Sequence, residues 1–508
     1  MAGVVLENVS WKKFIAISVI LLLLLITFFL LGGLRAPQPN NVNIIIGTKC
    51  YDKGRYFNRE RWFIPRGRNA CDPLESLDPT DQIIISDKQI VFSFWIPGPR
   101  EGQELKMHPQ FQYMLSVLQI DIEYQLENPV GPNPKMLLDF RLGYRNEEDR
   151  EDDWKLLAES AEEKKLVCIV RADPGSFYEC ELLHAFEISS VHYHYYLLNV
   201  RLLPSREKNI SIRQITDISL VTIYQNEQFT YVWFSIKTAV FPCVLIMLIW
   251  FWRRIRQMCR PPNLLERNLF ALGITVTILN LPIEWLTFWL NIPFMMLLND
   301  IRQGAFYAML FSFWIIFTGE HIMDRSERNR LKLYWKHLTA VVFGCFCLLV
   351  FEICERGVQL TNPFFSMWSS ETGLKLALAF IILAAIAATC YFLFLCVMIF
   401  RVWRKISAER SSISSMSVTK KKYYMGLIFL MLLTLFCAAL TVAVFIIGQL
   451  REGRWKWGDE NLKLEYTSAL CTGVYGLWNV YILGLLSLKT VSDTNLDTDS
   501  REEEYMDS

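Results

Sequence analysis

Long apolar runs and short alternating ones divide this chain between them. Lys12 and Lys13 precede an unbroken apolar run from Phe14 to Leu34, close to the roughly 20 residues a bilayer-spanning helix needs. Seven further runs follow, at approximately 232–252, 268–290, 301–319, 338–354, 375–400, 425–448 and 467–488. Between the first and second runs the period falls to two. Ile120, Ile122, Tyr124 and Leu126 alternate with Gln119, Asp121, Glu123 and Gln125, and Leu138, Phe140, Leu142 and Tyr144 alternate with Asp139, Arg141, Gly143 and Arg145. Such alternation puts the apolar set on one face of a half-buried strand. The Pro- and Gly-rich segment Asn128–Pro134 between them predicts a turn, and the pair a hairpin. Val42–Thr48, Gln89–Ile96, Lys165–Arg171, Tyr195–Leu202 and Asp217–Tyr224 are weaker strand segments. About seven short strands separated by turns argue for a sandwich.

The flanks of the runs orient them. The first is too long for the apolar middle of a signal peptide, about 7–15 residues, and Gly32-Gly33-Leu34-Arg35 is a poor cleavage site, so an uncleaved anchor is expected. Three loops then carry Arg253, Arg254, Arg256, Arg260 and Arg267; Arg325, Arg328, Arg330, Lys332 and Lys336; and Arg401, Arg404, Lys405, Arg410, Lys420, Lys421 and Lys422. Loop 291–300 on the other side has no Lys or Arg. The positive-inside rule places the basic loops and both termini in the cytosol. The expected fold is a membrane protein of eight transmembrane α-helices, one anchor plus a seven-helix receptor-like bundle, with a luminal antiparallel β-sandwich. Its expected parts are a cytosolic amino terminus (1–13), the first helix (14–34), the luminal domain (35–231), the bundle (232–488) and an acidic cytosolic tail (489–508).

Composition adds little. Net charge is +1 with 52% hydrophobic residues, which gives no reason to expect nucleic acid. Of 13 cysteines, only Cys50, Cys71, Cys168 and Cys180 fall in the luminal stretch, where two disulfides are expected. Sequence order favours Cys50–Cys71 and Cys168–Cys180, among three possible pairings. Asn209-Ile210-Ser211 is a luminal glycosylation acceptor. The acidic run Glu147–Asp153 reads as a solvated loop, and His192 and His194, placed on a strand, lack a third metal ligand.

Ionisable residues in spans are costly, so each invites a functional question. Glu284, Asp300, Arg302, Gln303, Glu352, Glu355, Arg356 and Gln359 gather at the luminal end, either as ties between helix ends or as the mouth of a cavity. Below them Phe306, Tyr307, Met309, Leu310, Phe313 and Trp314 on the fourth span are candidates to line an apolar pocket. Zinc-helix, nucleophile-elbow and phosphate-loop motifs are absent, so neither an enzyme nor a cofactor is expected. A seven-helix signalling receptor is the alternative, although Ser326 after Asp324-Arg325 and Asn479-Val480-Tyr481 without a proline depart from the receptor signatures.

Trp62-Phe63-Ile64-Pro65, Arg260-Pro261-Pro262, Phe306–Leu310, Gly319–Asp324, Cys354–Phe364 and Trp455-Lys456-Trp457-Gly458 resemble the Wntless family of Wnt secretion carriers. The resemblance runs over residues 1–488. It implies a cargo receptor that collects lipid-modified Wnt proteins in the endoplasmic reticulum and carries them through the Golgi to the cell surface. The sandwich and the bundle together would hold the Wnt, with its acyl chain inside the bundle, among membrane lipid. Retromer would recycle the carrier from endosomes, and Tyr424-Met425-Gly426-Leu427 matches the family's endocytosis signal for clathrin adaptors through Tyr424 and Leu427. The tail, ending Arg501–Ser508, departs from the longer family pattern with its retrieval signal, as in a divergent member or a paralogue.

Overall fold

A computed structural model describes residues 11–51, 90–100, 103–123, 135–151, 153–169, 177–202, 215–257, 260–322, 329–367, 371–412, 431–440, 443 and 467–506. The helices are α1 (Trp11–Leu30), α2 (Glu227–Gln257), α3 (Leu264–Asn280), α4 (Met295–Ile322), α5 (Trp335–Gln359), α6 (Glu371–Ser412), α7 (Met431–Leu440) and α8 (Thr467–Met506). Among the described residues, 7 helices are long and apolar enough to cross a membrane, α7 being the shorter apolar one. All eight coincide with the apolar runs.

Between α1 and α2 the described residues form thirteen strands: β1 (Asn40–Ile46), β2 (Thr48–Tyr51), β3 (Ile90–Ile96), β4 (Pro99–Arg100), β5 (Gln103–Glu104), β6 (Met114–Glu123), β7 (Lys135–Arg145), β8 (Lys155–Lys165), β9 (Cys168–Ile169), β10 (Phe177–Cys180), β11 (Leu183–Ile188), β12 (Tyr195–Leu202) and β13 (Ile215–Gln225). One sheet runs β1-β13-β6-β10-β9, with β11 also on β6; the other runs β2-β3-β12-β7-β8. All pairings are antiparallel, and the inward faces share one core that includes Leu118, Ile120, Leu138, Phe140, Leu142, Leu198 and Leu220.

The predicted hairpin is corrected. β6 pairs with β13, β10 and β11, whereas β7 pairs with β12 and β8 in the opposite sheet. The alternation in both strands is real, and Ile120 and Leu138 are buried. Their apolar faces oppose each other across the sandwich instead of lying side by side, because the link between them is long enough to change sheets. His192 and His194 precede β12 in a loop and are not on a strand. Strand β8 was not expected from its Glu-, Lys- and Ala-rich sequence; it is a polar edge strand held in register by β7, the kind of charged edge that discourages further pairing.

The first helix is more than an anchor. It lies along α8, where a side chain at Gly473 or Gly476 would come within 2.2 Å or 2.3 Å of Phe29 or Phe28. Small residues let helix backbones approach in lipid, where packing replaces the hydrophobic drive. The bundle core joins α2, α3, α4, α6, α7 and α8 around Phe306, Phe313, Trp314 and Trp478.

Candidate functional site: the junction of sandwich and bundle

Three contacts join the sandwich to the helices, two of them made by segments of the sandwich. The turn Pro109–Phe111 ends at Gln112, whose backbone adopts φ 54. There Gln112 Nε2 donates to Thr287 Oγ1 at 3.0 Å, and Thr230 Oγ1 donates to the Gln110 carbonyl at 2.7 Å. In the loop after β11, Ser190 Oγ meets Asn291 Oδ1 at 3.2 Å. The third contact runs the other way, from bundle to sandwich.

After α5 the chain turns through Leu360–Ser366 and inserts Phe364 into the sandwich core. Phe364 is fully buried and stacks on Phe140, ring centroids 5.3 Å apart. The loop's backbone is satisfied by the sandwich: Lys164 Nζ donates to the Phe364 carbonyl at 3.2 Å, and the Glu187 amide donates to the Pro363 carbonyl at 2.8 Å. Asn362 Nδ2 reaches Glu162 Oε1 at 3.1 Å. Arg356 pairs with Glu187, Gln359 Nε2 donates to Glu187 Oε2 at 3.1 Å, and Asp300 lies 3.8 Å from Arg356. Burial pulls the Lys164 ammonium down to about 8, partly offset by Glu162. The Cys354–Phe364 run is thus a latch between the two parts of the molecule.

A second knot lies inside the bundle. Helix α3 stops at Asn280, and a short turn, Ile283–Phe288, carries Glu284 inward. Lys237 Nζ meets Glu284 Oε1 at 2.6 Å, Arg302 pairs with the same oxygen, and all three side chains are no more than 7% exposed. Arg302 Nη1 also donates to the Leu281 carbonyl at 2.9 Å, capping the end of α3. Deeper still, Asn280 Nδ2 donates to Asn479 Oδ1 and Tyr475 OH to Asn280 Oδ1, both at 2.5 Å.

A cavity of about 140 Å³ lies between the sandwich and these helices. Gln112, Tyr113 and Ser189 line it from above, and Glu284, Asn299 and Asp300 from below. Ligand pockets usually run to roughly 300 Å³ or more, so it has room for water and not for a lipid chain. Tyr113 OH donates to Asn40 Oδ1 at 2.6 Å, and burial, reinforced by Glu187, pushes its hydroxyl above the usual range.

The predicted luminal residues therefore divide. Arg356, Gln359 and Asp300 belong to the latch, Glu284 and Arg302 to the inner knot, and Gln303 Nε2 turns to Tyr307 OH at 3.2 Å. Glu352 and Glu355 lie on the last turns of α5. Lys237, Glu187 and Lys164 were missed, and Phe364 was singled out only as part of the Cys354–Phe364 run. Lys237, an ammonium within an apolar run, was a visible signal; Glu187 and Lys164 carry none in the sequence.

The six candidate pocket residues share one region. Phe306, Leu310, Phe313 and Trp314 are buried in the bundle core, with Tyr307 and Met309 half-buried at its flank. Trp314 Nε1 donates to Tyr481 OH at 3.1 Å, and Phe306 and Trp478 rings are 6.1 Å apart. Cys168 and Cys180 are disulfide-bonded to each other, and Cys50 is disulfide-bonded. Cys71, Asn209, Tyr424 and Leu427 lie outside the described residues. Among the described residues no group of three potential metal ligands occurs.

A β-sandwich latched to the end of a multi-helix apolar bundle, with charges concentrated where the two meet, defines a multi-pass membrane protein with a receptor-like build. Residues 48–225 match the Wntless GOLD domain, and residues 226–488 match the Wntless-like transmembrane domain. The chain is 46% identical to protein wntless homolog B of Xenopus laevis, over 96% of this chain and 91% of that protein. It is 45% identical to the Homo sapiens protein wntless homolog, over 98% and 93%, and 43% identical to protein wntless of Drosophila grimshawi, over 96% and 89%. The chain belongs to the Wntless family.

Proposed function

We propose that this protein is a non-enzymatic carrier that collects acylated Wnt proteins in the secretory pathway and delivers them to the cell surface. The observation that carries this reading is membership of the Wntless family over nearly the whole length, with the GOLD domain and the transmembrane domain both matched. An acyl chain of about a dozen methylenes holds roughly 10 kcal/mol of transfer free energy, so the carrier must offer an apolar surface comparable to the bilayer and add protein contacts the bilayer lacks. The sandwich supplies those contacts. The acyl chain lies along α4, against Tyr307 at the flank of the core, with Leu310 and Trp314, on the same side of the helix, as the floor. Release follows when the contacts with the sandwich weaken, which lowers the differential affinity without chemistry.

In this reading both termini are cytosolic and Asn209 is glycosylated. Clathrin adaptors take up the carrier through Tyr424 and Leu427, and retromer returns it from endosomes. The protein then cycles among endoplasmic reticulum, Golgi, plasma membrane and endosomes.

The deciding experiment is rescue of Wnt secretion in cells lacking their own Wntless. Secreted Wnt should return with this chain. Tyr307→Asp should cut co-precipitation of acylated Wnt at least tenfold while the protein still reaches the Golgi. Equal capture of an unacylated Wnt variant would sink the lipid slot, and failure of rescue would sink the carrier role.

A further inference from the structure

The end of the bundle away from the sandwich carries a second, larger cavity of about 570 Å³, within the range of ligand sites. Pro261 and Pro262, Arg267 and Asn268 at the start of α3, Ile316 on α4, and Leu331 line it. Among the described residues the local carboxylates, Glu266 and Glu320, are already engaged. Glu266 accepts from Arg260 Nη2 at 2.8 Å and from the Asn263 amide at 2.7 Å, closing a capping box. Glu320 accepts from the Asn329 amide at 3.2 Å and from Tyr334 OH at 3.1 Å.

Among the described residues two donors remain uncommitted. Asn268 is only 7% exposed, yet its Nδ2 has no hydrogen-bond partner there. Arg267 is exposed at the cavity and makes no ion pair among the described residues. A buried amide N–H left unpaired costs stability unless something accepts from it. A guanidinium beside it selects an oxyanion, and phosphate suits both. The segment that runs on from Leu331, at the cavity wall, indicates where that phosphate comes from. Leu331, Leu333 and Trp335 are 52%, 43% and 58% exposed, and they alternate with Arg330, Lys332 and Lys336. Apolar and aromatic side chains interleaved with cations at helix ends are the composition of a membrane interface, which draws anionic headgroups.

We infer that this cavity binds the phosphorylated headgroup of an anionic lipid, in the leaflet opposite the sandwich, with Arg267 and Asn268 Nδ2 as its donors. Family membership plays no part in this assignment, so it stands or falls apart from the carrier role.

The test titrates the purified full chain, in neutral detergent, with dioctanoyl phosphatidylinositol 4-phosphate. Dioctanoyl phosphatidylcholine, inorganic phosphate and a glutamate-rich peptide serve as parallel probes. Saturable binding of the phosphoinositide is expected, weakened at least tenfold by Arg267→Gln and by Asn268→Leu and unchanged by Lys155→Gln on the sandwich. Arg267 is exposed, so its variant should fold even where Asn268→Leu does not. Binding that ignores Arg267→Gln overturns the site. Phosphatidylcholine binding as tightly removes phosphate recognition, and inorganic phosphate binding as tightly removes the lipid. Competition by the peptide overturns the assignment in favour of a protein partner.

Discussion

At Glu284 one carboxylate faces two cations, Lys237 and Arg302, in a place with almost no solvent. Breaking a buried pair by removing one partner leaves an uncompensated charge, which costs about 3–5 kcal/mol. Glu284→Gln strands both cations and should lower the melting temperature in detergent more than Lys237→Met, which leaves the Glu284–Arg302 pair intact. A smaller loss for Glu284→Gln would mean that the knot does not hold the bundle. Lys164 supplies a pH signature in the sandwich. Its folded-state value of about 8 lies below the 10.5 of an ordinary lysine, so the unfolded state binds more protons between those limits. Stability from this group therefore rises with pH from about 8 to 10.5, and below 8 the burial penalty is fully present. Lys164→Met should flatten that rise in melting temperature, measured against the unmodified protein; an unchanged slope would show that another group carries it.

At the scale of elements, periodicity located the helices because an apolar run of bilayer length has few soluble uses. It also located β6, β7, β12 and β13, whose inward faces bury Ile120, Phe140, Leu198 and Leu220. It failed at β8, whose composition favours helix and whose strand state is imposed by hydrogen bonding to β7. The hairpin expectation failed for a related reason: alternation reports which face is buried, not which strand lies alongside. The packing of α1 on α8 leads to a further prediction. Gly476→Leu places new atoms where the Phe28 ring lies, since even a Cβ there would come within 2.3 Å. It should separate α1 from α8 and lower the yield of folded protein, while Gly344→Leu, with nothing within 4 Å of its added Cβ, should be tolerated.

For the whole molecule the latch is decisive, because it makes sandwich and bundle one mechanical unit. Arg356 joins α5 to Glu187 of β11 and neighbours Asp300 of α4. Arg356→Glu sets three carboxylates against one another and should loosen the sandwich from the helices. Protease sensitivity of the junction should rise and Wnt loading fall. Adding Glu187→Arg restores an opposite pair and should recover much of both. If the double variant behaves no better than Arg356→Glu alone, the pair does not join the domains. Phe364 shows how far the joint reaches, since a side chain from the loop after a membrane helix completes a core built from strands some 200 residues earlier, where Asn362 also meets Glu162.

The sequence alone determined which segments lie in the membrane, which strand faces turn inward, and that charges collect at one end of the bundle. Each of these is a local property: a helix or strand exposes its surroundings through its own repeat. The tertiary structure alone decided that the charges form two separate knots, that β6 and β7 belong to opposite sheets, and that Cys354–Phe364 is a latch. Those outcomes depend on pairings such as Glu187 with Arg356 and Lys237 with Glu284. Partners so far apart along the chain leave no periodic trace, and only the closed fold brings them within reach.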